Sequence, residues 1–115
     1  MKLSEAIREG AKIRPQAFGK FFAEGEEQAT SCALGAAMEG AGLVPMPLNF
    51  GNAGYDTLRQ EWPEIEAQEI TCPAGCKNDW RCEAGGSIED IIQHLNDTCR
   101  WTREQIADWL QERGY

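Results

Sequence analysis

Five residues carry most of the chemistry this chain offers: Cys72, Cys76, Cys82, the lone histidine His94, and Cys99. They fall within 28 positions, and four of them read Cys72-x3-Cys76-x17-His94-x4-Cys99. A close cysteine pair on a turn, then a histidine/cysteine pair at a helix end, is the layout of zinc-finger sites. Thiolate sulfur and imidazole nitrogen are the donors that suit Zn2+. Pro73, Ala74 and Gly75 separate the first two cysteines, and Gly75 permits the bend that two converging thiolates need. The second pair is more demanding. Five residues advance an ideal helix by about 140° beyond a full turn. Cys99 therefore joins His94 only where the helix unwinds, and Asn96-Asp97-Thr98 is the expected break. The expected ligands are Cys72, Cys76, His94 and Cys99 around one Zn2+. Cys82 is the alternate ligand, either replacing His94 to give four thiolates or standing near as a spare thiol. Four protein donors close the coordination shell, which marks a structural site. The plainer reading makes the thiols core fillers and the histidine half-buried. The clustering of all five favours metal.

The elements that must position these residues are mostly helical. Ser4 is expected to cap a first helix with Leu3, Ile7 and Ala11 on one side, Gly10 near its end and Pro15 as its stop. Residues 16–28 read as an irregular or short extended stretch whose Phe18, Phe21 and Phe22 reach the core. Thr30 or Ser31 caps a second helix closed by Gly40 and Gly42. Its Ala33, Gly35, Ala36 and Ala37 allow another element to approach closely. Residues 43–54 read as a Pro/Gly/Asn loop, and Asp56 opens a helix that Pro63 ends. Residues 64–72 offer a short strand into the cysteine loop. Ile88, Ile91, Ile92 and Leu95, behind a Ser87 cap, make the stripe of an amphipathic helix. Thr102 with Gln105 forms a capping box for the last helix, which turns Ile106, Trp109 and Leu110 inward and stops at Gly114. The expected fold is mainly α, with four or five short helices, a zinc-knuckle loop and a minor β element. It is read as a single domain, 1–115, with 71–99 as the zinc-binding subregion.

Composition narrows the function. The net charge is −8, with 19 acidic against 11 basic side chains. Residues 21–70 hold nine acids against Arg59 alone. Such a surface repels a phosphate backbone, so nucleic acid is not expected as a partner. The sequence holds no run of 18 apolar residues and opens without the apolar core of a secretory signal, so no membrane and a reducing cytoplasm are expected. In that compartment clustered, odd-numbered cysteines favour metal over disulfides. No HExxH, paired catalytic carboxylates or phosphate-binding glycine loop is present, so the chain is not expected to be an enzyme. Cys32, at a helix start, reads either as an activated thiol or as a small packed residue; burial is the commoner fate of cysteine.

"CALGAA" at 32–37, "HLND" at 94–97 and "WTREQIADWL" at 101–110, with "LSEAIREGAKIRPQAFG" at 3–19, resemble an uncharacterised family of small bacterial and phage proteins. In that family a CPxC-like knuckle precedes HLND and a His or Cys follows it. The resemblance implies metal-site counterparts at Cys72, Cys76, His94 and Cys99. This chain departs from it by one extra residue inside the knuckle and by the added Cys82. The resemblance implies a fold unit and no activity. The combined expectation is a small protein with one structural zinc that acts as a protein–protein interaction module, with Trp80 in the cysteine loop as a contact residue. A nucleic-acid-binding knuckle, or a thiol- or zinc-dependent enzyme, is the alternative.

Overall fold

The computed structural model describes residues 1–18, 22–23, 30–43, 51–73 and 85–115. Among them it is mainly helical, with two small antiparallel ladders. The elements run α1 (Leu3–Ala11), β1 (Phe22–Ala23), β2 (Thr30–Ser31), α2 (Ala33–Gly40), α3 (Gly51–Glu61), α4 (Glu64–Ala67), β3 (Glu69–Ile70), β4 (Gly86–Ser87), α5 (Ile88–Asp97) and α6 (Arg103–Glu112).

α1 and α2 form the tightest contact. Leu3, Ala6, Ile7 and Gly10 line the buried side of α1, and nearly all of α2 is buried. The small residues of α2 admit α1 to backbone distance, as the sequence suggests. A Cβ on Gly10 would lie 1.7 Å from the Ala36 carbonyl oxygen, and one on Gly40 would lie 1.9 Å from that of Ala6. Gly10 is therefore required by packing and is more than a tolerated helix residue. Ser4 is not the cap of α1. It lies inside the first turn, where its hydroxyl donates to the Tyr115 main-chain oxygen at 2.7 Å. Lys2 holds the N-cap position, its amide donating to Glu5 Oε2 at 3.1 Å.

The cap of α2 also differs from expectation. Thr30 and Ser31 are drawn into β2, which pairs Phe22 with Ser31 and Ala23 with Thr30. Cys32 becomes the N-cap, its sulfur accepting from the Gly35 amide at 3.4 Å. Leu43 N donates to Met38 O and Gly42 N to Glu39 O, with Gly42 at φ +71°, so α2 ends in a Schellman turn. α6 ends in the same way at Gly114, as its sequence predicts.

α3 starts at Gly51, five residues before the expected Asp56. Gly54 and Leu58 are buried on one face, and docking of that face outweighs the poor helix propensity of Gly51-Asn52. Pro63 separates α3 from the one-turn α4. Phe18 does not reach the core: it is 41% exposed, with the Arg100 guanidinium 4.4 Å above its ring. Phe21 and the side chain of Phe22 lie outside the described residues.

The core joins all the longer helices. Ile88, Ile91, Ile92 and Leu95 of α5 are fully buried, as are Ile106 and Leu110 of α6, and they pack with Leu3, Ile7, Leu34, Met38, Leu58 and Ile65. Two ion pairs brace its edge. Arg59 donates to both carboxylate oxygens of the buried Glu89, at 3.1 and 2.6 Å, and Arg14 donates at 2.6 Å to Glu39, whose side chain is largely covered. Among the described residues no helix is long and apolar enough to cross a membrane.

Candidate metal centre

The β3–β4 ladder pairs Glu69 with Ser87 and Ile70 with Gly86, and so closes the base of the cysteine-bearing segment. β4 runs directly into α5, whose N-cap Ser87 accepts from the Asp90 amide at 3.3 Å. A residue just beyond β3 is thereby carried alongside α5. That residue is Cys72, buried at 9% exposure. His94 stands near the C-terminal end of α5 and is fully buried.

Beyond His94 the helix unwinds, at the last of the three residues expected to break it. Asn96 and Asp97 are still helical; Thr98 is the C-cap, and both Thr98 N and Cys99 N donate to the His94 carbonyl, at 2.9 and 3.1 Å. Arg100 takes a left-handed conformation, φ 54°, and Trp101 N returns to the Leu95 carbonyl at 2.9 Å. This turn brings the partly buried Cys99 back under the helix, its sulfur 3.3 Å from His94 Nε2.

Cys72, His94 and Cys99 thus converge, with one potential ligand atom each and all three atoms within 4.8 Å of one another. This group is close enough to bind a metal ion. The spacing fits: Zn–S near 2.3 Å and Zn–N near 2.05 Å in a tetrahedron imply a sulfur–nitrogen separation of about 3.6 Å. Among the described residues Cys32, Cys72 and Cys99 carry thiols and not disulfide sulfur. Cys76, Cys82 and Trp80 lie outside the described residues.

Two buried polar residues that the sequence pattern does not single out, Asn96 and Arg103, hold the site in place. Asn96 was expected to break the helix; it is instead a buried junction. Its Oδ1 accepts from Gln16 Nε2 at 2.9 Å and from the Ala33 amide at 3.1 Å, and its Nδ2 donates to the Ala17 carbonyl at 2.8 Å and to Asp97 Oδ1 at 2.7 Å. The histidine-bearing end of α5 is thereby fastened to the first turn of α2 and to residues 16–17. Arg103, also buried, donates to Ser31 Oγ and O, Ala11 O and Arg14 O, tying the start of α6 to the end of α1. Burial lowers its pKa, against the raising effect of the nearby Glu39 carboxylate. Both positions had a signal: Asn96 extends the row Ile88–Ile92, and Arg103 opens the row Ile106–Ala107–Leu110.

Cys32 is no activated thiol. Burial pushes its pKa up to about 11, against the lowering effect of hydrogen bonds from the helix N-terminus. A neutral thiol at physiological pH is a packing residue.

No family model, no curated protein and no solved structure matches this chain.

Proposed function

We propose that the chain is a helical interaction module stapled by one structural zinc ion, held by Cys72, His94, Cys99 and a fourth donor from the segment after Cys72. Cys76 is the assigned fourth donor, because only three residues separate it from Cys72; Cys82 is the alternate. The observation that carries this reading is the buried convergence of two cysteines from different elements on one histidine. Burying an imidazole beside two sulfurs is costly unless they share a proton or an ion. Two thiolates and an imidazole suit zinc better than hard cations. When bound, the ion acts as a cross-link between the β3 exit and both sides of the α5 terminus, and its binding free energy becomes folding free energy.

A closed four-donor shell leaves no position for a reacting water, which favours a binding role over catalysis. The exposed side chains from α3 to β3 include Asp56, Glu61, Glu66 and Glu69. This acidic excess suits a basic protein surface and opposes nucleic acid. Cobalt substitution tests the reading. Four-coordinate ligand-field bands and thiolate charge-transfer bands are expected, unmoved by added azide or cyanide. A spectrum that shifts with those anions would reveal an open position and support the zinc-enzyme alternative. Tight, salt-sensitive gel shifts with DNA or RNA would replace the protein partner by a nucleic acid.

A further inference from the structure

Two of these three side chains are also placed for a second chemistry. The sulfurs of Cys72 and Cys99 lie no more than 4.8 Å apart, and Cys99 is partly exposed where Cys72 is buried. Closing that gap to an S–S bond of about 2.05 Å requires movement of side chains on two connecting segments, not of a helix. Cys99 follows the helical part of α5, and Cys72 follows β3.

We propose that Cys72 and Cys99 are a peroxide-oxidised pair, forming a reversible disulfide that ejects the metal. This rests in part on the proposed metal site, since the ejected ion is the one held there. Cys99 Sγ attacks one oxygen of hydrogen peroxide; the O–O bond breaks, and the departing hydroxide takes a proton to leave as water. Cys99 becomes a sulfenic acid. Cys72 Sγ then attacks the Cys99 sulfur; the S–S bond forms, the S–O bond breaks, and the second hydroxide leaves as water after taking another proton. Two electrons pass from the sulfurs to the peroxide. Disulfide sulfur no longer offers thiolate charge to the ion, so two donors are lost in one event. A dithiol reductant returns both. Exposure sets the order, with Cys99 reacting first and Cys72 resolving. Cys32, buried at 8% exposure at the N-cap of α2, stays reduced.

The test uses the full chain, purified with and without zinc, treated with equimolar hydrogen peroxide, alkylated and mapped by mass spectrometry. A zinc-sensitive dye follows release. The expected result is a Cys72–Cys99 cross-linked peptide in both samples, one zinc released per disulfide in the loaded sample, and reversal by dithiothreitol. Links mainly to Cys76 or Cys82, sulfinic acid without a disulfide, or no oxidation would overturn it. The metal-free sample separates this inference from the metal reading: a Cys72–Cys99 link in protein that never binds zinc would leave the pair standing and remove the staple. Full zinc loading with no such link would do the reverse.

Discussion

Replacing Gly10 by alanine tests the packing that supports the N-terminal half. In an exposed helix this change is favourable by about 1 kcal/mol, because glycine loses more backbone freedom on folding. Here the added Cβ would sit 1.7 Å from Ala36 O, 2.4 Å from Ala36 C and 2.6 Å from Ala36 Cα. All three are backbone atoms, so no side chain can swing away. Restoring an ordinary contact of about 3.5 Å needs α1 and α2 to part by roughly 2 Å. That would loosen Leu3, Ile7, Leu34 and Met38, all essentially fully buried. Overpacking of this kind costs about 1–3 kcal/mol, and more when backbone must move. After the propensity gain, a net loss of about 2 kcal/mol or more is expected, equivalent to a fall in Tm of roughly 10 °C for a domain of this size. Thermal and urea unfolding followed by circular dichroism read it directly. Gly40→Ala should behave alike, its Cβ lying 1.9 Å from Ala6 O. A Gly10→Ala protein as stable as the parent, or more so, would refute the close helix contact.

Asn96→Ala should cost about 2–4 kcal/mol, since it strands the Ala33 amide and the Ala17 carbonyl in the interior; urea unfolding measures it, and Asn96→Asp should not restore the loss. Cys32 should react slowly with a thiol reagent at pH 7–8 until the chain unfolds. Its folded pKa of about 11 stands above an ordinary value of 9.0. The folded state thus keeps a proton that the unfolded state has lost, and the associated stability is complete below pH 9 and disappears as pH rises through 11. At about 1.4 kcal/mol per unit, roughly 2–3 kcal/mol is involved, visible as a stability difference from Cys32→Ala that narrows across that window.

The C-terminal third was the most legible in sequence, because local and tertiary demands agree there. Ile88, Ile91, Ile92 and Leu95 repeat with helical period and all are fully buried. Thr102 and Gln105 cap α6 reciprocally, as their spacing requires. The convergence of His94 and Cys99 followed from helix geometry, given a break between them. The break falls at Thr98, the last of the three residues the sequence marks for it; local propensity does not show that Asn96 is held in the helix by partners 63 to 80 positions away. The same blindness to distant partners put the cap of α2 at Thr30 or Ser31, which pair with β1 instead. Gly10 looked merely tolerable because propensity records what glycine costs and not what a neighbouring helix needs.

The measurement closest to the central claim is metal content by mass spectrometry on chain purified without added metal, paired with melting before and after chelation. Cys72, His94 and Cys99 already converge within 4.8 Å, so one equivalent of zinc should be present, and its removal should lower Tm by well over 10 °C because metal binding is coupled to folding. A chain that carries no metal, and whose melting is unchanged by chelator or added zinc, would contradict the account.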